Sequence, residues 1–171
     1  LNLGKFSNIQ NFISIFLEKF ETSLKNKEID YLLVQGDTTT AYITSLYGFL
    51  KKIPVIHLEA GLRTFDQYRP FPEEFFRQSI SKMASIHLAQ TESARTNLIN
   101  EGVNKKSIYV VGNPGIDFLV ENINKNKIFD QHVENTILIT MHRREGLDGT
   151  LETFIENLKK FMLINQEFII Y

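Results

Sequence analysis

The chain has 171 residues, enough for one ordinary domain or for one domain and part of a second. Hydrophobic residues make up 43% of it and charged residues 23%, so it can bury a core like an average globular protein. Its 19 basic and 20 acidic residues nearly cancel and it has no cysteine, which excludes the basic excess of a nucleic-acid binder, disulfides and thiolate metal sites.

Apolar residues follow two alternating patterns along the chain, one with helical spacing and one of short continuous runs. The helical spacing predicts helices over residues 6–25, 38–50, 72–84, 92–100, 115–123 and 149–163. The short runs predict strands over residues 31–34, 53–58, 86–89, 107–111, 136–141 and 167–171. Short strands that alternate with helices are typical of βαβ units, so we predict an α/β fold with a parallel, Rossmann-like sheet.

A polar stretch at residues 124–135 interrupts this pattern and is typical of a linker. It predicts a first domain over residues 1–123 and the start of a second, similar domain over residues 124–171. The chain enters a helix at once and stops inside the apolar run 167–171, so we expect an internal fragment of a two-domain protein. We expect this fragment alone to be inert and to associate through its uncovered strand edge.

In open parallel sheets, ligands bind beyond the carboxyl ends of the strands, so the residues that follow each strand are the candidates for chemistry. Polar or ionisable side chains follow several of the predicted strands, either directly or on the loop that comes next. In chain order these candidates are Asp37, Glu59, Arg63, Glu73, Asn113, His142, Arg143 and Arg144.

Three of the candidates are carboxylates that the strand order brings to one edge of the sheet. Asp37 and Glu59 lie one βαβ step apart, and Glu73 returns to the same edge through the loop. Carboxylates placed close together favour one protonated and one ionised group, which suits removing a proton from carbon and returning one. Each acid also has a simpler explanation: Asp37 as the N-cap of the next helix, beside Thr38, Glu59 as a solvated turn acid, and Glu73 as a partner of a helix dipole.

A histidine and two arginines follow the strand predicted over residues 136–141. Arg143 and Arg144 suit a diphosphate, because guanidinium groups bind phosphate oxygens in a fixed fork. Together with the carboxylates, this cluster favours a nucleotide-diphosphate substrate, although the P-loop and dinucleotide fingerprints are absent. His57 lies inside a strand, where we expect a hydrogen-bonded core histidine.

Four motifs stand in sequence order along nearly the whole chain: Gln35-Gly-Asp-Thr-Thr-Thr40, His57-Leu-Glu-Ala-Gly-Leu-Arg63, Arg69-Pro-Phe-Pro-Glu-Glu74 and His142-Arg-Arg-Glu145. In this order they resemble the non-hydrolysing UDP-N-acetylglucosamine 2-epimerases. The resemblance implies a two-domain GT-B-like fold and the interconversion of UDP-N-acetylglucosamine and UDP-N-acetylmannosamine. The implied route removes the C2 proton, expels UDP to give 2-acetamidoglucal, and adds UDP back with the opposite configuration at C2.

The resemblance also implies roles for individual residues. Asp37, Glu59, Glu73 and His142 are the catalytic candidates: the three acids match the family's acid–base carboxylates, and His142 matches its nucleotide-contacting histidine. Arg63, Asn113, Arg143 and Arg144 are the further substrate-binding candidates. No metal or redox cofactor is implied. No apolar run reaches the roughly 20 residues of a membrane span, and we expect a cytoplasmic enzyme of bacterial polysaccharide synthesis, a homodimer when complete, with neither nucleic acid nor membrane as partner.

Three other functions stay open. A hydrolysing relative would release UDP and free N-acetylmannosamine from the same intermediate. A glycosyltransferase of the same architecture is disfavoured because simple transfer does not need three carboxylates. A non-catalytic remnant would only bind a nucleotide sugar or a partner chain. The retained carboxylates argue against it, whereas two departures from the family pattern argue for it: Phe76 where asparagine is usual, and Gly146-Leu147-Asp148 where Asn-x-Gly is usual.

Overall fold

A computed structural model of the chain describes residues 7–126, 135–139 and 150–170. Its helices, numbered in chain order, are α1 (Ile9–Leu24), α2 (Thr39–Lys51), α3 (Glu73–Met83), α4 (Glu92–Asn100), α5 (Pro114–Asn126) and α6 (Thr150–Ile164). Its strands are β1 (Leu32–Gln35), β2 (Val55–Ala60), β3 (Ile86–Ala89), β4 (Ile108–Val110), β5 (Thr136–Ile137) and β6 (Ile169–Ile170). A short 3-10 helix over Lys105–Ser107 precedes β4 and leaves both of its lysines exposed.

The first four strands form one parallel sheet in the order β1-β2-β3-β4. Leu32 pairs with Val55, and His57 pairs with His87 on the other side of β2. Strands β5 and β6 form a second parallel pair, with Thr136 opposite Ile169. The predicted α/β fold class with a parallel sheet is therefore confirmed. Because the four strands of the larger sheet are parallel, their carboxyl ends lie at the same edge of that sheet.

The core of the larger sheet consists of two clusters of buried apolar side chains. One contains Leu32, Val34, Ala41, Val55 and Ile80, which join β1 and β2 to helices α2 and α3. The other contains Ala60, Ala89, Ala94, Leu98 and Ile108, which join β2, β3 and β4 to α4. Burial of each valine, leucine or isoleucine side chain among them contributes about 1.5–3 kcal/mol, so these contacts stabilise the sheet.

The structure forms two compact units, Leu1–Pro114 and Gly115–Tyr171. Helix α5 continues to Asn126, so the linker predicted over residues 124–135 starts too early: residues 124–126 belong to this helix. The boundary predicted after residue 123 stays a prediction. Among the described residues, no helix has the length and the apolar character that crossing a membrane requires.

Candidate active site

Asp37 lies at the carboxyl end of β1, directly after the turn at Gly36. Gly36 has a positive φ of 68°, a backbone conformation that glycine adopts without strain. The Asp37 carboxylate Oδ2 forms an ion pair with Nη2 of Arg77 at 2.6 Å, and both side chains are largely buried. The N-cap alternative for Asp37 is wrong, because the hydroxyl of Thr38 caps α2 by accepting from the Ala41 N–H at 3.1 Å.

Glu59 is the bulged residue of β2. Leu58 pairs with Leu88 and Ala60 with Ala89, so Glu59 has no partner of its own in β3. Its φ of 68° is strained for a residue other than glycine, and such strain costs of order 1–3 kcal/mol. Bulges next to active sites re-aim a side chain. The solvated-turn alternative is wrong, since Glu59 belongs to β2 and is half-buried.

The bulge brings the Glu59 carboxylate back toward β1. A Cβ placed on Gly36 would lie 3.7 Å from Oε2 of Glu59, so the carboxylate lies beside the residue that precedes Asp37. The prediction that Asp37 and Glu59 stand on adjacent strand ends is therefore confirmed by the pairing of β1 with β2.

Glu73 and Glu74 open helix α3, but they have different surroundings. Glu73 is half-buried at the first position, where the helix dipole favours a negative charge. The side chain of Glu74 is fully buried and accepts hydrogen bonds from the Thr64 N–H at 3.1 Å, the Phe65 N–H at 3.3 Å and Gln78 Nε2 at 2.9 Å. Sequence reasoning selected Glu73 alone and missed the structural role of Glu74.

Arg77 joins Glu74 to Asp37. Its Nη1 donates to Glu74 Oε2 at 3.2 Å, while its Nη2 reaches Asp37. Burial alone raises the pKa of Glu74, but the hydrogen bonds from Gln78, Thr64, Arg77 and Phe65 outweigh burial and hold that pKa below its ordinary value. Glu74 is therefore a charged anchor for Arg77. In the sequence, the three-residue spacing of Glu74 and Arg77 on a predicted helix was the signal for this ion pair.

His57 is buried between β1 and β3 and supports the same turn. Its Nε2 lies 2.8 Å from the Gly36 carbonyl oxygen, which can only accept, so Nε2 carries the proton. Burial, with smaller contributions from His87 and Arg63, lowers the pKa of His57 to about 4, although the hydrogen bond to the Gly36 carbonyl opposes this shift. The prediction of a hydrogen-bonded core histidine is confirmed.

Arg63, a predicted substrate contact, has a buried side chain with partners at all of its nitrogens. It forms a forked ion pair with Glu101 at 2.6 and 2.8 Å, and it also donates to the Leu62 carbonyl at 2.7 Å and to Ser81 Oγ at 2.7 Å. These contacts tie the loop after β2 to helix α3 and to the end of α4. A substrate contact by Arg63 stays a prediction.

The other predicted residues lie farther along the chain. Asn113 is half-buried between β4 and α5, and its contact with substrate stays a prediction. His142, Arg143 and Arg144 fall outside the described residues. Within the described ranges, no three histidine, aspartate or glutamate side chains are grouped to hold a metal ion.

Phe76, which departs from the family pattern, has a place in the core. It is buried, and its ring stacks on that of Tyr42 with centroids 4.6 Å apart and an interplanar angle of 13°. The ring therefore packs α3 against α2. An apolar residue at this position is compatible with an intact site.

The whole chain, residues 1–171, matches the family model of UDP-N-acetylglucosamine 2-epimerase. The chain belongs to this family. Among its curated relatives, the UDP-N-acetylglucosamine 2-epimerase of Bacillus subtilis is 39% identical over 150 residues, which is 85% of this chain and 40% of that protein. The resemblance of the four motifs to the UDP-N-acetylglucosamine 2-epimerase family is thereby confirmed.

Solved structures of the epimerase family match the fold. The crystal structure of the Neisseria meningitidis enzyme bound to UDP-GlcNAc matches with a TM-score of 0.91 and 33% identity, over 99% of this chain and 49% of that one. The Methanocaldococcus jannaschii enzyme in complex with UDP-GlcNAc and UDP matches with a TM-score of 0.82 and 31% identity, over 100% and 50%. This chain thus spans about half the length of these solved relatives.

Proposed function

We propose that the whole protein interconverts UDP-N-acetylglucosamine and UDP-N-acetylmannosamine, the non-hydrolysing form of this family's chemistry. The observation that supports this most is the bulge at Glu59, which places a second carboxylate beside the turn that carries Asp37. A strained residue at a strand end that turns a carboxylate toward another is a device of acid–base sites.

In the proposed reaction, one carboxylate of the set Asp37, Glu59 and Glu73 removes the proton from C2 of the sugar. The C1–O bond then breaks, the electron pair leaves with the UDP oxygen, and a C1–C2 double bond forms. In the return step, a second carboxylic acid protonates C2 from the opposite face while the UDP oxygen adds back to C1. All atoms balance without an oxidant or a further reactant.

The nucleotide half of the substrate needs contacts of its own. His142, Arg143 and Arg144 are the proposed contacts for the diphosphate, since histidine and forked guanidinium groups suit phosphate oxygens. The Neisseria meningitidis relative was solved with UDP-GlcNAc bound, which supports a substrate of this class. A homodimer, a cytoplasmic location and inactivity of the 171 residues on their own stay predictions.

The test is Glu59→Gln in the full-length protein, assayed by NMR for deuterium incorporation at C2 of UDP-N-acetylglucosamine in D₂O. Glutamine keeps the size of the side chain but cannot exchange a proton, so the rate should fall by roughly 10²–10⁴-fold with UDP binding nearly intact. Glu92→Gln is the matched control, because Glu92 lies on α4 with a side chain that is 73% exposed. A loss of less than about tenfold at Glu59 would contradict its catalytic role.

The products of the same reaction separate the alternatives. Recovery of UDP-N-acetylmannosamine supports the proposed epimerase, whereas free UDP with N-acetylmannosamine would assign the hydrolysing reaction. Binding of UDP-N-acetylglucosamine without any exchange at C2 would assign a non-catalytic binding protein.

A further inference from the structure

Three charged side chains, those of Asp37, Arg77 and Glu74, contact one another in a series that runs from the carboxyl end of β1 into the protein interior. Asp37 stands at the end of β1 with 23% of its side chain exposed, Arg77 follows with 18%, and Glu74 is fully buried. Arg77 contacts the two acids through different nitrogens, Nη2 toward Asp37 and Nη1 toward Glu74. The guanidinium group therefore bridges a buried acid and an acid at the edge of the sheet.

Glu74 fixes this bridge from inside the protein. The backbone N–H groups of Thr64 and Phe65 donate to its carboxylate, so Glu74 also holds the loop that follows β2. A buried carboxylate is tolerated only when it is hydrogen-bonded and paired, and Glu74 meets both conditions. Because Nη1 is held by Glu74, the planar guanidinium group presents Nη2 to Asp37 in one orientation.

We propose that Arg77 and Glu74 are positioning residues, which hold the Asp37 carboxylate correctly oriented for proton transfer at the sugar. This inference rests on the proposed function. Neither side chain needs to touch the substrate. The 2.6 Å contact to Arg77 restricts the rotation of the Asp37 side chain, and a shift of about 1 Å in such a group can cost on the order of 10²-fold in rate.

The test is a double-mutant cycle in the full-length protein, measured as C2 exchange with kcat and KM determined separately. Arg77→Met should lower kcat by on the order of 10²-fold with little change in KM, because the contact is made to a catalytic group and not to substrate. In an Asp37→Asn background, the same change should cost little more, since an interaction that acts through Asp37 is already lost. Glu74→Gln should lower kcat in the same direction.

A helix elsewhere in the chain supplies matched controls. Glu92 and Arg95 on α4 form a pair with the same three-residue spacing at 3.3 Å, but in an exposed position. Glu92→Gln and Arg95→Met should leave kcat unchanged. If Arg77→Met fails to fold, Arg77→Lys decides, because a single ammonium group keeps the charge but cannot provide the fork. We expect a loss of about tenfold or more for that variant.

Two outcomes would overturn the inference alone, provided that the wild type exchanges C2. In the first, the Arg77 and Asp37 effects multiply, which would mean that Arg77 acts independently of Asp37. In the second, Arg77→Lys retains full activity. Absence of exchange in the wild-type protein would instead overturn the proposed function, and this inference with it.

Discussion

Lowering the pH should destabilise the protein because His57 becomes protonated, and His57→Gln should remove this part of the pH dependence of stability. The side chain is fully buried, and burial lowers its pKa from 6.5 to about 4. Between these two values the unfolded chain binds a proton that the folded protein does not, so protonation favours unfolding. The stabilising effect of neutral His57 is thus complete above pH 6.5 and is lost as the pH falls toward 4.

The magnitude follows from the same two values. Each pKa unit corresponds to about 1.36 kcal/mol, so the free energy of unfolding should fall by about 3 kcal/mol between pH 7 and pH 4 on account of His57. Nδ1 of His57 has no hydrogen-bond partner among the described residues, so a second ring proton would be buried without an acceptor. Arg63 and His87 oppose the added charge, whereas Asp37 favours it.

Urea unfolding at a series of pH values, with wild type and His57→Gln compared, measures this effect. The wild type should lose about 3 kcal/mol more than the variant between pH 7 and pH 4, since carboxylates and His87 contribute equally to both. Glutamine can still donate to the Gly36 carbonyl, which preserves the turn. Equal pH dependence of the two proteins, or an NMR titration of the His57 ring near pH 6.5, would refute the reasoning.

Two further predictions concern the backbone after Glu59 and the nucleotide contact. A Cβ at Gly61 would lie 2.2 Å from the Ala94 carbonyl oxygen, so Gly61→Ala should lower the free energy of unfolding by about 3 kcal/mol or more. Gly102→Ala is the control, because φ there is similarly positive but no atom lies within 4 Å, and it should lower the free energy of unfolding by about 1 kcal/mol. Equal losses of unfolding free energy for the two variants, measured by urea unfolding, would contradict the predicted clash at Gly61. His142→Ala should weaken UDP binding in a calorimetric titration while leaving the thermal transition in place; unchanged affinity would assign His142 a structural role.

Much of the larger sheet was predictable because its elements are strongly patterned. The strand over residues 86–89 and the helix over residues 92–100 have the predicted bounds, and Asp37 and Glu59 stand at paired strand ends as expected. Local spacing decides these features, and the parallel order of βαβ units decides which strand ends are neighbours.

The details of the site depend on contacts between distant segments, which spacing does not show. The bulge at Glu59 appears only in the register between β2 and β3. Glu74 is buried because the loop after β2 folds over it, with Thr64 ten residues away in sequence. Arg63 pairs with Glu101, which lies 38 residues away in sequence. Spacing along the chain does not show this partner, and Arg63 was therefore predicted to contact the substrate because it follows a strand end.

The turn at Gly36 and the carboxylates of Asp37 and Glu59 are each held by contacts with other parts of the protein. His57 holds the Gly36 carbonyl, Arg77 holds Asp37, and the β2 bulge aims Glu59. These contacts lie within the protein, so in the proposed reaction Asp37 and Glu59 need little reorganisation at the moment of proton transfer. Under the proposed function, loss of one of these contacts should therefore lower kcat more than it raises KM, since it changes how the sugar reacts and leaves the proposed nucleotide contacts unchanged.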